Sequence, residues 1–249
     1  MSAAAACQTG PVSAPDPSTP TGPEDALAAL GPFFAVHRHA PGAVPAAPWR
    51  PVTDLVAPGA ALRARIERVR AALAAGGGRA PEQVEPRVAV SVAHLGLVAR
   101  LIAPAVGAAA LGTPLPVGAA HLWWQDELGG PFPLSVGAGG GVLRLPGSAA
   151  EAITLAVRRG FGVSARVLWG NVASAANSAA TMIGRARPDL AAAARSTADV
   201  LLADERVEDG VLRAGPDFRR RSCCLIYRLT GSTAAVCGDC VLDRQAAEN

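Results

Sequence analysis

The amino-acid sequence predicts a mostly helical α+β protein, in which a helical domain carries a short antiparallel sheet and ends in a small cysteine-bearing hairpin module. Several long segments have apolar residues at helical spacing, two short apolar segments flank a glycine-containing loop, and four of the five cysteines lie near the C-terminus. With 249 residues, half of them hydrophobic, the chain can bury one large core or two smaller ones. We expect a disordered tail over residues 1–23, a helix-rich α+β domain over 24–216 and the cysteine module over 217–243.

The first segment, residues 1–23, is rich in Pro, Ser, Thr and Gly and has too little apolar surface to order itself. It has neither a basic start nor an unbroken apolar stretch, so it does not resemble a secretory signal. We therefore expect a cytoplasmic protein, and structural disulfides are rare in that compartment. Cys7 lies in this tail and is expected to take no part in a metal site.

Helical spacing first appears in residues 59–75, where apolar residues recur every three or four positions and three glycines follow. The apolar positions are Leu62, Ile66, Val69 and Leu73. This pattern predicts an amphipathic surface helix whose arginines face solvent.

The longest apolar stretch, residues 88–111, is long enough to cross a membrane but contains His94, Arg100 and Pro104. An arginine at the centre of a bilayer costs about 2.5 to 3.5 kcal/mol. The stretch therefore predicts a buried core helix, kinked or ended near Pro104, and no transmembrane span. His94 and Arg100 then need polar partners. A hydrogen-bonded core histidine and a snorkelling arginine are the simpler interpretation, and contact with a substrate or a cofactor is the alternative.

Two strands are predicted over residues 119–125 and 132–136, joined by a loop that contains glycine. Trp123 and Trp124 should face opposite sides of this hairpin, so that one of them reaches the core. Packing within the sheet is the simpler role for both. Stacking of an exposed indole beside His121 on a planar ligand is the alternative.

Three further helices are predicted after the sheet. Ser148–Glu151 forms a capping box that opens the first, and Pro188 suits the first turn of the third. Between them, residues 163–185 are rich in small residues and helix formers. Asn171 and Asn177 lie in this middle helix, and we interpret them as polar core partners rather than as ligand contacts.

The C-terminal segment concentrates four cysteines within eighteen residues: Cys223 and Cys224 are adjacent, and Cys237 and Cys240 follow after twelve residues. In a reducing compartment this pattern indicates four metal ligands, with a redox-active disulfide and unligated thiols as alternatives. Four thiolates suit a tetrahedral zinc or an iron–sulfur cluster. Adjacent cysteines of an extended segment point to opposite faces, which is awkward around one zinc ion and easier around two irons. The spacing matches neither ferredoxin pattern.

The segments Arg221–Leu229 and Cys237–Leu242 resemble the C-terminal [2Fe-2S] motif of the FhuF-like siderophore-iron reductases. The usual pattern there is C-C-x10-C-x2-C, whereas twelve residues separate the two cysteine pairs here. The two extra residues fall at 231–236, which we interpret as the loop of a hairpin, where an insertion costs little. Residues 167–175 also resemble a stretch typical of that family, so the resemblance covers roughly residues 85–242.

This resemblance implies that the four cysteines hold a [2Fe-2S] cluster and that the domain over residues 24–216 is siderophore-reductase-like. It further implies one-electron reduction of ferric siderophore complexes, releasing Fe(II) in the cytoplasm, since the hard anionic ligands of a siderophore hold Fe(II) far more weakly than Fe(III). The expected partners are a ferric siderophore and an electron donor such as a ferredoxin or a flavin-dependent reductase. No catalytic residue beyond the cluster is expected.

Four arginines flank the cysteines: Arg219, Arg220, Arg221 and Arg228. Cations there are expected to raise the reduction potential or to dock an anionic partner. The alternative is that they keep a strand edge soluble. Two other function classes stay open, namely a structural zinc module on a scaffold or binding protein, and a non-reductive siderophore-binding or biosynthetic relative.

Several function classes are disfavoured by composition and by motifs. A net charge of +3 is too mild to indicate nucleic-acid binding, and no basic run interleaved with aromatic residues is present. The sequence contains no G-x-G-x-x-G, no G-x-x-x-x-G-K-[ST] and no G-x-S-x-G motif, which argues against a dinucleotide fold, a P-loop NTPase and an α/β-hydrolase.

Overall fold

A computed structural model describes residues 22–57, 59–230 and 237–242 of the chain. Cys7 and the predicted loop 231–236 lie outside these residues. The helices are α1 (Pro23–Ala28), α2 (Thr53–Val56), α3 (Ala60–Gly76), α4 (Pro86–Ala110), α5 (Ala149–Phe161), α6 (Ala165–Ala186), α7 (Ala191–Leu202) and α8 (Tyr227–Thr230). The strands are β1 (His37–His39), β2 (Arg50–Pro51), β3 (Leu122–Trp124) and β4 (Leu134–Gly137). The predicted α+β class, mostly α, is confirmed.

Helix α4 forms the centre of the fold, because α3, α5, α6 and α7 all pack against it. It is apolar on nearly every side, as expected for a helix that neighbours surround. We expected the helix to be kinked or to end near Pro104. It does not end there but continues to Ala110. A proline inside a helix costs about 3 kcal/mol, and burial of the turns on both sides of Pro104 offsets that cost.

Among the described residues, α4 is the one helix long and apolar enough to cross a membrane by length and composition. However, 78 % of its most apolar window is buried inside the protein. A helix largely covered by its neighbours has little apolar surface left for lipid, so its hydropathy reflects its place in the core.

The predicted pair of strands forms the middle of a four-stranded sheet with the order β1-β4-β3-β2. Strands β3 and β4 are antiparallel, and Trp123 lies opposite Ser135. The sheet is mixed rather than purely antiparallel, because β1 pairs in parallel with β4, while β2 adds to β3 in the antiparallel sense. As expected from alternation along a strand, Trp124 is fully buried and Trp123 is half-buried.

The remaining helices begin where their caps predict. Ser148 Oγ accepts the backbone N–H of Glu151 at the start of α5, and the Glu151 carboxylate accepts the N–H of Gly147. A short 3-10 turn beginning at Pro188 leads into α7. Helix α3 buries Leu62, as its spacing predicts, along with most of its apolar face. The expectation that its arginines face solvent is wrong for Arg65, which is buried and pairs with Asp126 at 2.7 Å.

The predicted C-terminal hairpin is wrong for the described residues, because neither arm of residues 217–243 contains a strand there. The arms are joined by one backbone hydrogen bond, from Arg220 N to Asp239 O at 3.1 Å. The apolar run after the cysteine pair suggested a strand, but Leu225 has a φ of 69°, which breaks the extended backbone. Helix α8 follows directly.

Candidate metal centre

The four clustered cysteines, Cys223, Cys224, Cys237 and Cys240, meet in the structure as two pairs. The sulfurs of Cys224 and Cys237 are 3.5 Å apart, and those of Cys240 and Cys223 are 3.7 Å apart. All four are free of disulfides. Each pair thus takes one cysteine from the adjacent couple and one from the Cys237–Cys240 turn.

The sulfur–sulfur distances test whether the residues fit a metal centre. Two thiolates on one tetrahedral metal, with metal–sulfur bonds of about 2.3 Å, lie roughly 3.7 Å apart. Both pairs are close to that separation. Pairs at this separation suit a [2Fe-2S] centre, in which two irons take two thiolates each.

Local backbone geometry aims these sulfurs. The left-handed conformation of Leu225 turns its backbone N–H back toward Cys223 Sγ, which accepts it at 3.3 Å. On the other arm, Cys240 N donates to Cys237 O at 2.9 Å and closes a tight turn through the exposed Gly238. The turn brings Cys240 into a fully buried position, while Cys237 stays half-buried.

The ionisation of the thiols follows the same pairing. The hydrogen bond from Cys237 lowers the pKa of Cys224 to about 5, and Arg220 adds to this effect. The same bond raises the pKa of Cys237, because the proton stays on that member of the pair. Burial raises the pKa of Cys223 to about 11. One thiolate therefore forms readily, and it is the ionised form that binds a soft metal.

Arg220 is the arginine that contacts this centre directly. Its side chain is buried, with Nη2 donating to Cys237 Sγ at 3.0 Å and Nη1 donating to Asn171 Oδ1 at 3.1 Å. Burial opposes its charge, but Asp239, 3.8 Å away, and the sulfurs of Cys224 and Cys237 outweigh burial and raise the pKa of Arg220. Both Arg220 Nε and Asp239 Oδ2 are buried without a hydrogen-bond partner among the described residues. A buried cation whose partners are incomplete fits a site where further negative charge binds.

Asn171 joins this arginine to the helical core. Its amide nitrogen donates to Ser91 O at 3.1 Å and lies 3.4 Å from Nδ1 of His94. On the far side of the ring, His94 Nε2 lies 2.9 Å from Thr154 Oγ1, whose hydroxyl donates to a backbone carbonyl of α5. The ring therefore donates from Nε2 and accepts at Nδ1, and burial lowers its pKa to about 3. The prediction of a hydrogen-bonded core histidine is confirmed.

The other polar residues singled out in the core also have structural partners. Asn177 accepts the backbone N–H of Gly215 at 2.9 Å. Arg100 is buried rather than snorkelling, contrary to expectation, and donates to three backbone carbonyls. Its acceptors are the carbonyl oxygens of Phe33, Ala35 and Phe132, at 3.0, 2.6 and 2.7 Å. These bonds tie the segment before β1 to the loop before β4, which explains why a cation is retained inside an apolar helix.

The remaining flanking arginines have different partners. Arg221 pairs with Asp209 at 3.0 Å, and Arg228 pairs with Glu85 at 2.8 Å; both are about half-exposed. Arg219 donates to the carbonyl of Phe218 and meets no carboxylate among the described residues. Arg219, Arg220 and Arg221 nevertheless line one hollow beside the cysteine segment, whereas Arg228 is not part of its lining.

Sequence reasoning missed the residues that fasten the module to the helical domain. Glu208 is buried and accepts the backbone N–H of Arg221 at 2.7 Å and the hydroxyl of Ser222 at 3.0 Å. Ser222 lies so close to α6 that a Cβ at Gly170 would collide with its Oγ. In the sequence, Gly170 between Trp169 and Asn171 indicates this contact, because glycine is unfavourable inside a helix unless another segment packs closely against it.

One comparison with known proteins supports the cysteine motif. Residues 220–242 match the family model described as the FhuF 2Fe-2S C-terminal domain. The predicted resemblance and the predicted [2Fe-2S] cofactor are therefore confirmed for this segment, which is a small part of the chain. No curated protein and no solved structure matches the chain.

Proposed function

We propose that the protein catalyses the one-electron reduction of Fe(III) bound to a siderophore, and that it releases Fe(II) in the cytoplasm. One observation carries this proposal: the segment that matches a FhuF-type [2Fe-2S] domain contains four cysteines that meet as two pairs. A siderophore holds Fe(III) through hard anionic oxygens and holds Fe(II) weakly, so adding one electron releases the metal.

The four clustered cysteines are the proposed ligands of the cluster. In this arrangement Cys224 and Cys237 would hold one iron, and Cys223 and Cys240 would hold the other. When bound, the [2Fe-2S] cluster supplies one electron at a time. The protein therefore needs no side chain for proton or hydride transfer at the iron, and its residues serve to bind, to orient and to exclude water.

The buried members of each pair supply that exclusion. Cys224 and Cys240 are shielded from solvent, whereas Cys237 is half-buried beside the exposed Gly238. Cys223 is also half-buried, but Cys237 has an exposed glycine next to it, so we take the turn at Gly238 as the edge at which a redox partner approaches. Arg220 lies behind this edge and places a positive charge next to Cys237.

A basic hollow beside the module suits an acidic electron donor such as a ferredoxin or a flavin-dependent reductase. The hollow has a volume of about 970 Å³ and borders the cysteine segment at Val241. Its arginines are Arg166, Arg213, Arg219, Arg220 and Arg221. Among the described residues, Arg166 and Arg213 meet backbone carbonyls rather than carboxylates, so their charges are available to a partner.

The decisive experiment is metal analysis of protein purified without air, followed by reaction of the reduced protein with ferric siderophores. We expect two irons and two acid-labile sulfides per chain, and reoxidation by ferric hydroxamate or catecholate complexes with Fe(II) captured by a ferrous chelator. One zinc per chain and no visible absorption would instead establish a structural zinc module. A loaded cluster that no ferric siderophore reoxidises would defeat the reductase proposal and favour the non-reductive relative.

A further inference from the structure

A groove of about 780 Å³ runs between α4, α6 and the cysteine segment. One end of its lining is the turn Cys237–Asp239, so the groove reaches the half-buried sulfur of one cysteine pair. A second groove of about 870 Å³ lies between α3 and α5 and has no cysteine among the described residues that line it. Position relative to the sulfurs, rather than size, distinguishes the two.

The groove beside the cysteines combines apolar and polar walls. Leu95 and Met182 contribute apolar surface, and Ser178 and Thr181 contribute hydroxyl groups from α6. Small side chains of α6, namely Ser174, Ala175 and Ser178, leave room for the groove. Apolar walls with a few hydrogen-bonding groups are typical of small-molecule sites, and the volume lies in the range such sites occupy.

Two cations complete the lining. Arg185, at the C-terminal end of α6, is exposed and has no carboxylate partner among the described residues, and Arg219 likewise meets only a backbone carbonyl. Fe(III) chelates present anionic oxygen donors around the metal, which guanidinium groups recognise well. Gly238 has no side chain to block the approach of such a bulky complex to Cys237.

We propose that this groove binds the ferric chelate, with its iron toward Gly238 and its organic backbone along α6. The proposal rests on the proposed function for the identity of the ligand. It adds a location, an orientation and the residues that determine affinity.

The test uses the loaded, oxidised protein and gallium(III) complexes of a trihydroxamate and of a tricatecholate, because Ga(III) mimics Fe(III) in charge and size but accepts no electron. Binding is measured by calorimetry. Ser178→Trp fills the groove from an exposed position, and Ala64→Trp fills the second groove in the same way as a matched control. We expect Ser178→Trp to weaken binding at least ten-fold and Ala64→Trp to leave it unchanged, with the same visible spectrum in both variants.

Charge reversal gives a second, milder variant in case the tryptophan disturbs the fold. We expect Arg185→Glu to weaken binding of the tricatecholate complex more than that of the less anionic trihydroxamate complex. The visible spectrum of Arg185→Glu should match that of the wild type, which shows that the substitution leaves the cluster intact.

The possible outcomes separate the two proposals. Unchanged gallium binding in both Ser178→Trp and Arg185→Glu, or no saturable binding by the wild type, would overturn the groove assignment. If the wild type still reduces ferric siderophores in that case, the proposed function survives with a binding site elsewhere. If it binds gallium complexes in the groove but reduces none of the iron complexes, the groove stands and the reductase proposal falls.

Discussion

Replacing Arg220 by glutamine should lower the reduction potential of the cluster. Arg220 is the buried cation of the site, 3.0 Å from Cys237 Sγ. Reduction adds negative charge next to it, and a fixed cation stabilises the reduced form more than the oxidised form. Glutamine keeps a hydrogen-bond donor near Asn171 but removes the charge, so the substitution isolates the electrostatic contribution.

The size of the shift follows from Coulomb's law. The added electron is delocalised beyond the sulfur. We therefore place its charge about 6 Å from the guanidinium, which is twice the distance of 3.0 Å between Arg220 Nη2 and Cys237 Sγ. At an effective dielectric constant of about 20, this charge pair is worth roughly 3 kcal/mol. For a one-electron couple that energy corresponds to about 120 mV. Water entering the space left by the side chain screens part of it, so we expect a decrease between about 50 and 120 mV.

The potential is measured by spectroelectrochemical titration of wild-type, Arg220→Gln, Arg220→Lys and Arg221→Gln proteins at one pH and ionic strength. Arg220→Lys retains the charge and should shift the potential far less than Arg220→Gln. Arg221→Gln is the matched control, because Arg221 is adjacent to Arg220 in sequence but is half-exposed and paired with Asp209. Equal potentials for Arg220→Gln and wild type, or an equal shift in Arg221→Gln, would refute the electrostatic role of the buried arginine.

Three further predictions concern the ligands, the donor surface and the core. Serine at any of the four clustered cysteines should abolish the normal visible spectrum while Cys7→Ser leaves it intact, and an unchanged spectrum for Cys224→Ser would contradict the pairing. Glutamine at Arg166 and Arg213 together should slow electron transfer from an acidic donor about three- to ten-fold and flatten its dependence on ionic strength, with the cluster unaffected; an unchanged rate at low salt would exclude steering by this hollow. Burial holds the pKa of His94 near 3, below its unfolded value of about 6.5, so its contribution to stability is complete above pH 6.5 and is lost as the pH falls. Urea unfolding at pH 6.5 and 4.5 should show a loss of about 2.5 kcal/mol in the wild type that His94→Gln lacks, and identical losses in both proteins would disprove the buried neutral ring.

The helices were predictable because their signals are local. Ser148 and Pro188 mark helix starts through chemistry contained within one turn, and α3 shows its buried face by apolar spacing alone. Strands β1 and β2 were not predictable for the opposite reason. Two or three residues cannot display a period of two, and these strands exist because β4 and β3 offer them an edge to pair with.

Context also overrode two local signals. Pro104 normally ends a helix, yet α4 continues because the helices around it bury the turns on both sides. The apolar run after Cys224 resembled a strand, yet the chain turns at Leu225 in a conformation that non-glycine residues adopt at a cost. In both cases tertiary contacts supply more free energy than local propensity removes, and a single sequence does not record those contacts.

The cysteines were identifiable from spacing, but their partners were not. Arg219, Arg220 and Arg221 are adjacent and chemically identical, and the sequence gives no reason to distinguish them. Their roles differ because Asn171, forty-nine positions from Arg220, accepts a hydrogen bond from it at 3.1 Å and so selects which guanidinium is buried. Sequence patterns reveal the ligand types, whereas long-range contacts determine which charges lie next to them.

The buried position of Arg220 ties the metal centre to the helical domain energetically. A guanidinium is costly to bury unless anionic partners balance it. Without a metal its balance comes from the Cys224 thiolate and from Asp239 at 3.8 Å, a distance longer than a good hydrogen bond. Metal binding requires deprotonated thiols and therefore adds negative charge beside the same guanidinium. Arg220 Nη1 donates to Asn171 of α6, so negative charge gained at the cysteines strengthens the attachment of the module to the core. Binding of the cofactor and docking of the cysteine segment therefore stabilise each other.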